Sequence, residues 1–181
     1  MELTDAFWWF VLIGLGAQLI DGALGMAFGL VASSILLGMG LPPAAVSASV
    51  HTAEIFTTGA SGVSHLAFGN VDRRLFLRLA LPGMVGGVIG AWLLTRLPGD
   101  AIRPFVYAYL LDASGGGGWG PMATSTLLAR GGLARTTIGT VNASEFLVTL
   151  AISLTFFLSM GLDHLETVLG LLVGGICLLY T

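Results

Sequence analysis

Most of the chain consists of apolar segments, separated by short stretches that contain glycine, proline or charged residues. The segments at 44–68, 75–97 and 133–160 are long enough to cross a bilayer core of about 30 Å as helices. Shorter apolar segments lie at residues 6–20, 30–39, 105–111, 122–129 and 165–180. The pattern predicts an all-α integral membrane protein, a polytopic bundle of helices.

Composition narrows the class further. Hydrophobic residues make up 55% of the chain and charged residues only 9%, against roughly 25% charged residues in soluble domains. We therefore expect a multi-pass protein of the cell (inner) membrane, with the lipid bilayer as its surroundings. The net charge of −3 and the absence of a basic patch argue against a nucleic-acid partner. No nucleophile–histidine–acid arrangement, cysteine pair or phosphate-loop lysine favours an enzyme, and we expect no cofactor and no bound metal.

Glycine interrupts two of the apolar segments. Consecutive glycines are poor helix formers, since each costs roughly 1 kcal/mol relative to alanine. In lipid, non-helical backbone persists only where protein or a polar cavity satisfies its N–H and C=O groups. Each break is therefore a candidate binding site at membrane depth. The strong break contains Gly115, Gly116, Gly117 and Gly118, and a weaker one contains Gly25 and Gly29.

The two halves of the chain repeat with an offset of 91 positions. The offset superimposes the two breaks and the two glutamates that lie within apolar sequence. The matching pairs include Asp21 and Asp112, Gly25 and Gly116, Gly29 and Gly120, and Glu54 and Glu145. Paired, glycine-interrupted segments in two halves are typical of transporters built from inverted repeats. We predict one membrane repeat at 1–98 and a second at 99–181, with the broken helices meeting near the midplane.

Arginine positions suggest an orientation. Cytoplasmic loops carry an excess of positive residues. Arg130 and Arg135 flank one loop, while the corresponding loop at 40–43 is uncharged. With inverted repeats, the arginine loop and the loop before Arg73 and Arg74 both face the cytoplasm. We interpret these arginines, together with Arg78, as topology determinants.

A half-helix that begins at a break directs free N–H groups and a positive dipole end into the gap. Such a gap can hold an anion with several oxygens. The alternative is that the glycines allow close packing and the hydroxyl groups bond to their own helix. The candidate substrate-binding residues are Gly25, Gly29, Ser33, Ser34, Gly115, Gly116, Gly117, Gly118, Trp119, Thr124, Ser125 and Asn142.

Glu54 and Glu145 indicate a functional site more strongly than the glycine breaks do. An ionisable side chain inside a span costs at least about 2.5–3.5 kcal/mol and usually marks a transport pathway or a proton site. Either glutamate could exchange a proton, or it could instead tie two helices together. His51 and Asn142 lie one turn before them, and the replacement of histidine by asparagine argues against a symmetrical metal site.

Asp21 and Asp112 each precede a break. One interpretation gives them a coupling-ion or gating role. The other is that each caps the exposed N–H groups of the following half-helix, and we favour this second interpretation slightly.

The motifs LIDGALGMAFG, LLDASGGGGWGPMATSTLLARG and IGTVNASEF resemble the TauE/SafE sulfite exporter family, also called the toluenesulfonate uptake permease family. The resemblance implies a carrier for sulfite, sulfonates or related small organic or sulfur-containing anions. It extends over nearly the whole chain. Carried over by position, it covers Asp21, Gly25, Gly29, Glu54, Asp112, Gly115 to Gly118, Trp119, Gly120, Pro121, Asn142 and Glu145.

Two departures from the family are visible. The second half has a short stretch before its glycine run, and the sequence ends inside the expected last span. We expect alternating access, with proton coupling through Glu54 or Glu145 as a further hypothesis. Two alternatives remain open: a cation or metal carrier that uses His51, Glu54, Asn142 and Glu145, and a membrane scaffold subunit without transport. The oligomeric state is not specified by the sequence.

Overall fold

The computed structural model describes residues 5–24, 27–112, 119–161 and 164–177. All the regular elements within these ranges are helices, which confirms the predicted all-α class. In chain order they are α1 (Asp5–Leu24), α2 (Phe28–Gly38), α3 (Pro43–Ala67), α4 (Arg73–Arg96), α5 (Gly99–Asp112), α6 (Trp119–Ala129), α7 (Ala134–Met160) and α8 (Leu165–Ile176).

Three of the described helices are long and apolar enough to cross a membrane: α1, α4 and α7. Helix α3 has 25 residues and is long enough, but it contains many polar residues. Several of these are buried in the protein, including Ser49, Glu54 and Thr58. The polar side chains of α3 thus lie on the side that faces the protein, whereas Phe56, Val63 and Leu66 of the same helix are exposed.

The first break differs in position from the sequence-based expectation. Helix α1 continues through Asp21 to Leu24, and α2 begins at Phe28 rather than at residue 30. Gly29 is therefore helical and belongs to the first turn of α2. The physical reason is a hydrogen bond of 2.9 Å from the Phe28 N–H to Oδ1 of Asp21, which satisfies the start of the helix two residues earlier.

The helices follow the 91-residue offset found in the sequence. Helices α2 and α6 both have 11 residues, and their first residues, Phe28 and Trp119, are 91 positions apart. Helices α3 and α7 start at Pro43 and Ala134, again 91 positions apart. An 11-residue helix is about 16 Å long, so α2 and α6 each cross only about half of a bilayer core.

Helices α3 and α7 pack against each other in antiparallel directions. The Cβ position of Gly62 lies 3.3 Å from Cα of Ala143, and that of Gly59 lies 3.2 Å from the Phe146 ring. Residue numbers therefore decrease along α3 as they increase along α7. Glycine at position 62 permits this close backbone approach, because a side chain there would press on the backbone of α7.

Helix α4 also packs against α7, and these two helices run parallel. The N–H of Asp72, just before α4, donates a 2.9 Å hydrogen bond to Oγ1 of Thr140. Farther along, the Cβ position of Gly87 lies 2.7 Å from Ile152. Since α4 and α7 begin side by side, Arg73, Arg74 and Arg135 lie at the same end of the bundle.

The opposite end is held by contacts between the two halves. Nη2 of Arg103 on α5 donates a hydrogen bond of 3.0 Å to the carbonyl oxygen of Gly40. The Tyr107 hydroxyl donates to the carbonyl oxygen of Leu37 at 3.3 Å. These bonds link α5 to the C-terminal end of α2, where the Leu37 carbonyl also accepts the backbone N–H of Gly40 at 3.0 Å.

Candidate functional site

A polar cavity of about 220 Å³ lies between the end of α1, the start of α2 and the helices α3 and α7. We call it the amide cavity, because it contains the side-chain amides of Gln18 and Asn142. Its described lining consists of Gln18, Asp21, Phe28, Glu54, Thr57, Thr58, Ser61, Ile138, Asn142 and Glu145.

Three carboxyl groups meet at the amide cavity. Glu54 comes from α3, Glu145 from α7 and Asp21 from the end of α1. They lie close enough for their charges to interact. Glu54 is only 9% exposed, whereas Glu145 and Asp21 are half-buried. The antiparallel packing of α3 and α7 thus brings together the two glutamates that correspond in the sequence repeat.

The start of α2 faces these carboxyl groups. Asp21 accepts hydrogen bonds from the Phe28 N–H at 2.9 Å and from Nε2 of Gln18 at 3.4 Å. The backbone of Gly29 lies against the carboxyl group of Glu54, and a Cβ at Gly29 would meet that group directly. Two acidic side chains therefore satisfy the first turn of this half-helix, as the positive end of a helix dipole favours.

A second, larger cavity of about 450 Å³ lies between α3, α4 and α7. We call it the arginine cavity, because Arg78 lines it. Its described lining consists of His51, Glu54, Arg78, Leu79, Pro82, Gly83, Gly86, Gly87, Tyr109, Trp119, Glu145, Val148, Thr149 and Ile152. Glu54 and Glu145 line both cavities and so form the wall that the two share.

The two cavities correspond to each other through the sequence repeat. Adding 91 to a position in the amide cavity gives a position in the arginine cavity for most of the lining. The corresponding pairs are Gln18 and Tyr109, Phe28 and Trp119, Glu54 and Glu145, Thr57 and Val148, Thr58 and Thr149, and Ser61 and Ile152. In the reverse direction, Asn142 of the amide cavity corresponds to His51 of the arginine cavity. Both halves of the chain line each cavity, and each half contributes one of the shared glutamates.

His51 has a defined hydrogen-bonding state. Its Nδ1 lies 2.8 Å from the carbonyl oxygen of Ser47. Because a carbonyl oxygen can only accept, Nδ1 carries the hydrogen and Nε2 is left as an acceptor. His51 can therefore accept a hydrogen bond in the arginine cavity while its ring is held by its own helix.

A profile of the sulfite exporter TauE/SafE family matches residues 10–114, more than half of the chain. The chain belongs to the TauE/SafE family. A protein of Bacillus subtilis (strain 168) described as "Probable membrane transporter protein YtnM" is 40% identical over 210 residues, which cover 92% of this chain and 70% of the relative. No solved structure is matched.

These comparisons identify a membrane transporter of the TauE/SafE family, and the long apolar helices are those of a multi-pass protein of the cell membrane. The resemblance inferred from the sequence motifs is confirmed. The stretch aligned to the Bacillus subtilis relative is longer than the 181 residues of this chain. The relative therefore carries residues that have no counterpart here.

The structure brings only some of the predicted TauE/SafE site residues together. Asp21, Glu54, Asn142 and Glu145 meet in the amide cavity, and His51 and Trp119 lie in the arginine cavity. Gly25 and the glycines at 115–118 lie outside the described residues, and Asp112 is described only as the last residue of α5. Their predicted roles remain predictions.

The substrate-binding role predicted for the hydroxyl residues of the two half-helices stays a prediction. Ser33, Ser34, Thr124 and Ser125 are absent from the described lining of both cavities. Ser34 donates to the carbonyl oxygen of Leu30 at 2.7 Å, and Ser125 donates to that of Met122 at 3.2 Å. Both are exposed side chains bonded to their own helices, which is the arrangement of the alternative interpretation.

Sequence reasoning missed several lining residues. Thr57, Thr58 and Ser61 follow Glu54 on α3 at one-turn spacing, a signal that could have placed them on the same face. Arg78 was interpreted only as a topology determinant, yet it lines the arginine cavity.

The geometry of the described residues offers no group of metal ligands. Among the described residues, no three or more His, Cys, Asp or Glu side chains form a group that could hold a metal ion. His51 and Asn142, which the metal-carrier alternative combines with both glutamates, line different cavities.

Proposed function

We propose that this transporter carries sulfite, a sulfonate or a related small anion by alternating access. One observation carries the proposal: Glu54 and Glu145 form the wall shared by two cavities that correspond through the sequence repeat. A substrate held beside this wall has one repeat-related cavity on each side. That arrangement suits a carrier whose two halves exchange conformations around a central site.

An inverted relationship between repeats at 1–98 and 99–181 is part of the proposal. It is supported by the antiparallel directions of α3 and α7, which begin 91 positions apart. Equivalent helices of two inverted repeats must run in opposite directions, because one repeat is turned over relative to the other. The positive-inside rule places the end with Arg73, Arg74, Arg130 and Arg135 in the cytoplasm.

The anion is proposed to bind where the half-helices begin. The starts of α2 and α6 lie at the two cavities, with Phe28 in one and Trp119 in the other. Backbone N–H groups at helix starts can bind an anion without a lysine. At α2 the N–H groups of Phe28 and Gly29 are bonded to Asp21 and Glu54, so in this proposal the anion replaces these carboxyl groups as the acceptor. Asn142 adds a side-chain amide donor. In this proposal Gly25 and the glycines at 115–118 supply further backbone donors.

Proton coupling follows from the charges of the site. An anion that enters the amide cavity meets Asp21, Glu54 and Glu145, and ionised carboxylates repel it. Binding of the anion therefore favours uptake of a proton by one of these groups, by the reciprocity of linked equilibria. We assign this role to Glu54 and Glu145, because each lines both cavities.

The test is the flux of sulfite and of a small sulfonate into proteoliposomes at two pH values. The variants are Glu145→Gln and, as a matched control, Glu166→Gln, because Glu166 lies in the first turn of α8 and lines neither cavity. We expect wild-type flux that changes with pH. Glu145→Gln should abolish the flux or its pH dependence, and Glu166→Gln should retain both.

The opposite outcomes discriminate between the alternatives. Wild-type flux whose pH dependence survives Glu145→Gln would remove the coupling role. A divalent metal that raises the melting temperature and is itself transported, when no sulfur-containing anion is transported, would favour the cation carrier. Proteoliposomes that transport neither an anion nor a metal would leave the scaffold interpretation.

A further inference from the structure

Arg78 lies inside a membrane-spanning helix rather than at its end. It is five residues beyond the first residue of α4, Arg73, which corresponds to about 7.5 Å along the helix axis. Its side chain is on the wall of the arginine cavity together with His51, Glu54 and Glu145. The amide cavity contains no arginine or lysine among its described lining residues.

The exposed side chain of Arg78 has no acidic partner among the described residues, which do not include the side chain of Asp112. Within the part of the chain that the structure describes, Arg78 takes part in no ion pair and no hydrogen bond. An arginine at membrane depth costs about 2.5–3.5 kcal/mol unless water, lipid phosphate or a counter-charge compensates it. Glu54 and Glu145 share the cavity with Arg78 but lie beyond ion-pair distance.

Arg78 differs from the other polar residues of the shared site because the sequence repeat gives it no equivalent in the amide cavity. The shared glutamates, the half-helix starts and the Thr58 and Thr149 positions all have equivalents in both cavities. Position 78 shifted by 91 is Leu169, which is not among the described lining of the amide cavity. Of the two related cavities, the arginine cavity thus has a positive charge in its described lining and the amide cavity has none. The positive-inside rule concerns the loops and does not require a positive charge in either cavity.

We propose that Arg78 is a substrate-recognition residue, whose guanidinium binds two oxygens of the transported oxyanion in the arginine cavity. This inference rests on the proposed anion transport and deepens it. The planar guanidinium matches two oxygens of one anion in a bidentate arrangement, which a lysine ammonium cannot reproduce. The site therefore favours a sulfur oxyanion or a sulfonate over a halide of the same charge.

The test measures initial flux against substrate concentration for sulfite and for a small sulfonate, with Arg78→Gln, Arg78→Lys and Arg74→Gln. Arg74 is the matched control, because it lies one turn earlier on the same face of α4 and lines neither cavity. We expect Arg78→Gln to raise the half-saturating concentration by about tenfold or more, as loss of a charged hydrogen-bonded pair predicts. Arg78→Lys should restore part of the affinity, and Arg74→Gln should resemble the wild type.

Each other result overturns one specific statement. Equal half-saturating concentrations for Arg78→Gln and Arg74→Gln, with wild-type flux present, would overturn the role of Arg78 alone. Absence of wild-type flux, together with no rise in melting temperature on addition of sulfite, would overturn the anion-transport proposal itself. Should Arg78→Gln fail to fold, Arg78→Lys must still show weaker substrate affinity than Arg74→Lys, and equal affinities would refute the inference.

A lipid phosphate is the competing partner for the guanidinium, since long side chains near helix ends reach towards head groups. The flux measurements are therefore repeated in vesicles of phosphatidylcholine alone and with added phosphatidylglycerol. A defect of Arg78→Gln that is the same in both vesicles supports the substrate. A defect that appears only with the anionic lipid would assign Arg78 to lipid binding and overturn the inference.

Discussion

The amide cavity and the arginine cavity come from corresponding positions of the two halves, but their side chains differ in polarity. Where the amide cavity has Gln18, Thr57 and Ser61, the arginine cavity has Tyr109, Val148 and Ile152. The arginine cavity is about twice as large, at about 450 Å³ against about 220 Å³. In the described lining, the glutamates, the threonines Thr58 and Thr149 and the aromatic residues Phe28 and Trp119 are matched in kind.

This difference separates two requirements of a carrier. In the proposed mechanism the shared wall is symmetrical because both cavities act on the same substrate and the same proton. The remaining lining is free to differ, so that the amide cavity has two side-chain amides and the arginine cavity a guanidinium group. Changes at the wall should therefore be more damaging than changes at either lining.

Substitution of Gly29 is expected to have the largest effect on transport. It lies in the first turn of α2, and a Cβ there would meet the Glu54 carboxyl group. Gly29→Ala should displace that carboxyl group from the shared wall, remove most of the flux and lower the free energy of unfolding by about 1–3 kcal/mol, as overpacking does. Flux and melting temperature are both measured on the purified protein.

Gly38→Ala is the control for Gly29→Ala. Gly38 is the last residue of the same helix, and nothing lies within 4 Å of its Cβ position. Alanine there should leave flux unchanged and slightly stabilise the helix. Equal flux in the two variants would show that the contact between α2 and Glu54 does not matter for transport.

The sequence predicted much of this arrangement, because its strongest signals are local or repeated. The glycine breaks, the 91-residue offset and the pairing of Glu54 with Glu145 all follow from residue types that are costly in lipid. The sequence could not predict equally well which side of each helix faces the protein and which side faces lipid. Lipid is as apolar as a leucine-rich core, so the hydrophobic pattern does not reveal which side of a helix contacts protein. For this reason Ser34 and Ser125 were assigned to the site and Arg78 was not.

Two substitutions of Asp21, in the amide cavity, can distinguish a helix-capping role of this residue from a role in proton coupling. It accepts the Phe28 N–H at 2.9 Å, so Asp21→Ala should destabilise the protein by about 1 kcal/mol, the usual cost of losing a helix cap. Asp21→Asn keeps an acceptor oxygen and should retain most of the stability. Thermal unfolding in detergent measures both, with flux as the second readout. If Asp21→Asn lost flux at an unchanged melting temperature, the carboxyl group would be acting in transport rather than as a cap.

The smallest effect is expected from exchanging lining residues between the two cavities. The Thr57 hydroxyl donates to the carbonyl oxygen of Glu54 in its own helix at 3.2 Å, so it is already satisfied without a substrate. Thr57→Val, which gives the amide cavity the residue of the arginine cavity, should therefore cost at most about 1 kcal/mol and lower flux only a few-fold.

The reciprocal change, Val148→Thr, preserves the shape that packs against Gly83, and its new hydroxyl can bond to a carbonyl of its own helix. Flux and melting temperature of Val148→Thr should thus remain close to those of the wild type. A loss of flux in Thr57→Val alone, at an unchanged melting temperature, would mean that the Thr57 hydroxyl turns from its helix to the substrate. The polarity of the amide cavity would then contribute to recognition as directly as the shared glutamates, and the two cavities would differ in function as well as in composition.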